Sequence, residues 1–134
     1  MLISQDVVRR DMLKVKDGCD TKALSLMKEL LIYGNNHCDI VILEGIMYSD
    51  WYKPLFQLAI AQFDKIFAYY YDLSFEETLS RHQTKVNCNE FGAEAMKRWW
   101  RDKDFIGIIP ETVITREFEL EDTINFIYGN VFNK

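Results

Sequence analysis

The chain has 134 residues, enough for one domain with a sizeable core, and 49% of them are apolar. Its 16 Lys and Arg stand against 21 Asp and Glu, a net charge of -5, which argues against general nucleic-acid binding through clustered cations. No apolar run reaches the length of a membrane span.

Met1-Leu2-Ile3-Ser4-Gln5-Asp6 has no basic leader followed by an apolar stretch, so no secretory signal is expected. Cys19, Cys38 and Cys88 are odd in number and lack paired spacing. They read as reduced thiols of a cytoplasmic protein. The spacing of His37, Cys38, His82 and Cys88 gives no support for a metal site, and none is expected.

Leu2-Ile3-Ser4 reads as the end of a strand, and Val7 to Lys14 as a helix whose first turn Asp6 can cap. Asp17-Gly18 marks a turn. A second helix, capped by Asp20 or Thr21, carries Ala23, Leu24, Met27, Leu30 and Leu31 on one face, and Gly34-Asn35-Asn36 is expected to stop it. Ile40-Val41-Ile42-Leu43 is a continuous apolar run, typical of a parallel strand buried on both faces, and it ends at Glu44-Gly45. Pro54 suits the first turn of a helix to about Phe63, and Lys65 to Tyr71 is the next strand. Ser74-Phe75-Glu76-Glu77 has the spacing of a capping box, opening a helix to about Lys85. A polar segment, Asn87 to Gly92, precedes a short helix from Ala93 to Arg101. Val113-Ile114-Thr115 is a short strand, and Glu121 to Val131 closes the chain as an amphipathic helix with Ile124, Ile127, Tyr128 and Val131 on one face. Strands alternating with helices predict an α/β fold, a three-layer parallel sheet with helices on both faces. In such sheets ligands bind at the carboxyl ends of the strands, where Asp6, Glu44 and Asp72 stand here.

Asp6 and Arg9 lie one helical turn apart. The carboxylate can orient or deprotonate a hydroxyl, and the guanidinium can hold a polar or anionic acceptor. A capping Asp beside a surface Arg explains the same spacing. Glu44, at the end of an apolar strand and followed by Gly45, suits a cleft near magnesium or phosphate, or solvent. Arg81 and Lys85 share a helix face, and Arg98 and Arg101 follow after the polar segment. This basic unit can close over phosphates, or it is a solvated surface in which Arg81 pairs with Glu77. Trp51, Tyr52, Trp99 and Trp100 can stack on a base or pack as core and lid.

In their order, these segments resemble the P-loop kinase superfamily, near the zeta-toxin-like and small nucleoside or antibiotic kinases. Leu2 to Leu13 is similar to the second strand and acceptor-binding entry of that fold. The resemblance implies that Asp6 acts on the acceptor hydroxyl and that Arg9 binds the acceptor. Ile40 to Gly45 resembles the strand with the Walker B-type acid, which makes Glu44 the acidic position. Tyr69 to His82 resembles the fourth strand and the helix into a lid, which would span 82–104, with Arg81, Lys85 and Arg98 at phosphate-contacting positions. Phe118 to Ile124 resembles the terminal helix. ATP and Mg are the implied cofactors, and a small molecule or nucleoside is the implied acceptor.

The family also opens with a strand, a G-x-x-x-x-G-K-[ST] loop and a helix, and this sequence contains no such motif. A single kinase-like domain over 1–134, incomplete at its N-terminus, is therefore expected to be inactive by itself. In the family order the absent strand lies between the strands matched by Ile40-Leu43 and Ile66-Tyr71. Edges left unpaired there imply self-association or a partner that supplies the strand. The alternative function is a non-catalytic remnant serving as a binding or assembly module.

Overall fold

The computed structural model describes residues 1–132. The elements are β1 (Leu2–Ser4), a π-helix (Val7–Met12), α1 (Lys22–His37), β2 (Ile42–Glu44), α2 (Lys53–Gln62), β3 (Ala68–Tyr71), α3 (Phe75–Gln83), α4 (Ala93–Trp99), β4 (Glu111–Ile114) and α5 (Leu120–Phe132). The fold is mixed α/β, and its strands form two separate parallel pairs, β1–β2 and β3–β4. The chain divides into two compact units, Met1–Ile66 with Phe105–Pro110, and Phe67–Asp104 with the chain from Glu111 onward.

In the first unit β1 and β2 pair in parallel, Leu2 opposite Ile42 and Ser4 opposite Glu44. Parallel neighbours need a crossover, and α1 provides it. Thr21 caps α1 by accepting from the Ala23 N–H at 3.3 Å. Ala23, Met27, Leu31 and Gly34 form its buried stripe. Successive strand side chains point to opposite faces, so Ile3 is buried in the core while Leu2 and its partner Ile42 are 63% and 56% exposed. The expectation that Ile40-Leu43 is buried on both faces therefore fails. Among the described residues β2 has one strand neighbour, and the face of the pair that carries Leu2 and Ile42 lies open.

Two further local expectations change. Gly34 does not stop α1, which continues to His37. Gly34 is instead a point of close approach, where a β-carbon would lie 2.7 Å from Val41 Cγ2. Residues 7–12 form a π-helix, and the Asp6 side chain makes no capping bond to it.

In the second unit β3 and β4 pair in parallel from Ala68–Glu111 to Tyr71–Ile114, with α3 and α4 in the crossover. Ser74 caps α3 by accepting from the Glu77 N–H at 3.1 Å, as its position predicts. Ile114 is fully buried. Helix α5 packs through buried Thr123, through Phe126 against Tyr69 and Phe118, and through Asn130, whose amide donates to the Tyr69 hydroxyl at 3.3 Å. The predicted apolar face of α5 is thus only partly used: Ile124 and Tyr128 are exposed. A pair of strands covers one sector of the helix, and apolar residues occupy more than that sector.

Gly45 adopts φ +142°, and a β-carbon on it would lie 2.6 Å from Gln5 Cβ. Gly45→Ala is therefore expected to destabilise the protein by about 1–3 kcal/mol. Gly18, with no atom within 4 Å of such a carbon, is the control: Gly18→Ala should stay within about 0.5 kcal/mol of wild type. Urea titration of both variants checks the contrast.

Candidate functional site

The carboxyl ends of β1 and β2 gather three of the predicted residues in the first unit. Asp6 enters the π-helix two residues after Ser4, and Glu44 is the register partner of Ser4. Asp6 Oδ1 accepts from Arg9 Nη2 at 2.6 Å. The Asp6 side chain is 58% exposed and that of Arg9 only 21%. Arg9 Nε is buried and has no hydrogen-bond partner. A π-helix is rare, and short π-turns are frequent at functional sites. Here it contains Arg9 and turns the guanidinium back onto Asp6. The exposed carboxylate can accept a proton or hydrogen bond from an incoming hydroxyl, with Arg9 fixing its orientation. Glu44 is exposed at the same end of the ladder.

A buried network supports this turn. Gln5 is 2% exposed, and its Nε2 donates to the Tyr52 hydroxyl at 2.8 Å. The hydroxyl donates in turn to Asp17 Oδ1 at 2.6 Å. Burial, reinforced by the hydrogen bond to the Asp17 carboxylate, pushes the Tyr52 phenol far above its ordinary range. In the sequence Tyr52 reads as a packing or stacking aromatic and Asp17 as a turn residue. The available signal was Gln5, a polar side chain directly following a strand and preceding the candidate acid.

The predicted basic residues lie in the second unit. Arg81 is a staple: Nε donates to Glu77 Oε1 at 2.8 Å, and Nη2 donates to the carbonyls of Arg116 at 3.0 Å and Phe118 at 3.4 Å. It ties α3 to the segment between β4 and α5, so the expected pairing with Glu77 is present and two backbone bonds add to it. Lys85 and Arg98 are exposed, one in the turn after α3 and one on α4. The segment 82–104 is organised by aromatic contacts. His82 stacks on Phe91 at 4.4 Å, Phe91 meets Trp99 edge-on at 5.2 Å, and Phe75 meets Trp100 at 5.6 Å.

The carboxyl ends of β3 and β4 border an open depression of about 530 Å³ lined by Asp72, Ser74, Glu76, Glu77, Thr115, Arg116 and Glu117, with Leu73. Lys103 Nζ bonds both Asp72 oxygens at 2.9 and 2.8 Å, which raises the Lys103 pKa. The Thr115 hydroxyl donates to Glu117 and lowers the Glu117 carboxyl below its usual range. Among the described residues no group of three or more His, Cys, Asp or Glu is placed to hold a metal ion. Comparison with protein-family models, curated proteins and solved structures finds no match.

Two outcomes follow from these bonds. The raised Tyr52 pKa means that the unfolded state loses the phenolic proton first as pH rises past about 10, the ordinary tyrosine value. Stability contributed by the neutral phenol is then present below that pH and lost above it. Tyr52→Phe should remove that slope and cost about 1–3 kcal/mol at neutral pH, since it leaves buried Gln5 Nε2 without its acceptor. Denaturant unfolding across pH 7–11 checks both. Among the cations, Arg81→Ala should lower stability measurably, by about 1 kcal/mol or more, because it frees two backbone carbonyls and Glu77. Arg98→Ala should remain within about 0.5 kcal/mol, and thermal unfolding of the two variants separates staple from surface residue.

Proposed function

We propose that this chain carries the acceptor-binding and lid parts of a P-loop kinase-like phosphotransferase, one that moves a phosphoryl group from ATP to a hydroxyl of a small molecule or nucleoside. The observation that carries this reading is the Asp6–Arg9 pair, set with Glu44 at the carboxyl ends of a parallel ladder. That is where open α/β sheets bind ligands. An exposed carboxylate oriented by a mostly buried guanidinium is suited to activate an acceptor hydroxyl. The family order leaves a gap between the strands matched by Ile40-Leu43 and Ile66-Tyr71, and two separate parallel pairs, β1–β2 and β3–β4, are compatible with that gap. Lys85 and Arg98 are the cations left exposed for phosphate, with Arg81 joining them only if its staple opens.

The residues present do not by themselves fit ATP and Mg. The sequence has no glycine-rich loop whose backbone N–H groups and Lys would cradle phosphates, and Glu44 is a single acid at its edge. The phosphotransferase reading therefore requires a strand–loop–helix from elsewhere. The exposed apolar side chains of β2 and α5 favour a second reading, an assembly module without catalysis.

Calorimetry with this chain alone should give no micromolar ATP binding. In an assembly completed by a strand–glycine-rich loop–helix, Asp6→Asn should lower turnover about a hundredfold, the usual loss for a general base, with ATP affinity unchanged. Undiminished turnover would return Asp6 to a purely structural partnership with Arg9. Micromolar ATP binding by the chain alone would show that a different phosphate site exists.

A further inference from the structure

We propose that the loop joining β2 to α2, residues 45–52, is the recognition loop of the acceptor, and that it selects a flat ring without negative charge, the chemistry of a nucleoside and not of a nucleotide. The inference rests on reading Asp6 as the residue that receives the acceptor hydroxyl. Both ends of the loop are fixed at one side chain. At its start Gly45, at φ +142°, lies so near Gln5 that a β-carbon there would be 2.6 Å from Gln5 Cβ. At its end the Tyr52 hydroxyl accepts from Gln5 Nε2 at 2.8 Å. Gln5 is 2% exposed and directly precedes Asp6. Residues 46–51 therefore leave and return beside the candidate carboxylate. The loop also follows the carboxyl end of β2, the side on which parallel strands meet ligands.

The side chains of the loop decide what it can hold. Tyr48 and Trp51 meet edge to face, their ring centroids 4.7 Å apart at 61°. Both residues are half-buried, whereas Tyr52 next to them is wholly buried. Ile46 is 69% exposed. Aromatic rings beside an exposed aliphatic side chain suit the face of another ring, and stacking tolerates any base because every base has such a face. Between Gly45 and Tyr52 the loop has no Lys, Arg or His, and Asp50 is its one charged residue. The Asp50 carboxylate accepts from the Trp51 N–H at 3.0 Å, which shapes the turn that carries the indole. Asp6 and Glu44 stand at the strand ends, and Arg9 is already bonded to Asp6. A phosphate on the acceptor would thus meet more carboxylates than cations, and like charges brought together are repelled. A sugar joined to a heteroaromatic base supplies both parts the site asks for, a hydroxyl for Asp6 and an uncharged ring for the loop.

Nuclear magnetic resonance titration of the whole chain with adenosine, thymidine, ribose and adenosine monophosphate tests this. The readout is the indole N–H of Trp51, identified by its loss in Trp51→Phe. Both nucleosides should shift that resonance and saturate it in the millimolar range. Ribose, which has no base, and the monophosphate, which adds negative charge, should bind about tenfold or more weakly. Trp51→Ala, read at the loop's backbone amides, should weaken both nucleosides about tenfold. Ile46→Asp, at an exposed position, should weaken them also and keeps the test valid if truncating the indole disturbs folding. Ile60→Ser, exposed on α2, should bind as wild type does. Nucleosides that shift Trp51 but leave the Asp6 and Arg9 amides unmoved would uphold ring selection by the loop and overturn the acceptor role of Asp6. No shift with either nucleoside, equal binding of ribose or the monophosphate, or binding indifferent to both Trp51→Ala and Ile46→Asp overturns the proposal.

Discussion

Parallel pairing is the constraint from which the structure follows. Two adjacent parallel strands cannot be joined by a tight turn, so each pair needs a crossover that lays helix across one face. The 16-residue α1 does this for β1 and β2, and α3 with α4 lies in the crossover of β3 and β4. Ladders of three and four residue pairs are small, and each is covered where its crossover and flanking helices pack. Ile3 and Ile114 are buried, while Leu2, Ile42 and Tyr71 remain exposed.

The same constraint aligns the strand ends. Every strand of a parallel ladder finishes on one side, where backbone groups leave the ladder and polar side chains can enter. Asp6 and Glu44 stand there in the first unit, Asp72 and Thr115 in the second. Several charges near these ends are engaged in structure as well as available for chemistry. Arg81 holds two backbone carbonyls, Lys103 holds Asp72, and the Tyr52 hydroxyl links Gln5 to Asp17. Breaking the Arg81 or Tyr52 bonds costs about 1 kcal/mol or more, against a total stability of about 5–15 kcal/mol for a whole protein.

Much of the element order was legible in the chain. Alternating apolar runs and amphipathic stretches placed the four strands and five α-helices of the described residues, because periodicity reports local geometry directly. Thr21 and Ser74 were readable as caps, since their hydroxyls act on neighbours two or three residues on. What failed depended on distant partners. Gly34 has the composition of a helix stop, yet its role is set by the chain's return after α1, which brings Val41 against it. The run Ile40-Leu43 reads as doubly buried, but burial depends on what covers the ladder, which no local pattern encodes. Asp6, Arg9 and Glu44 were legible as candidates because strand ends are visible in sequence. The Gln5–Tyr52–Asp17 network joins residues up to 47 positions apart, and nothing in their spacing announces it.

His82 shows how a single ring nitrogen can fix a loop. Its ring is 4% exposed, and Nε2 lies 3.2 Å from the Cys88 carbonyl and 3.1 Å from that of Phe91. Two carbonyls can only accept, so the nitrogen between them must carry the hydrogen, which selects one tautomer of the neutral ring. One donor shared between two acceptors draws residues 88–91 onto α3, so replacing the ring would free both carbonyls, and the loop that carries them would lose its tie to the helix.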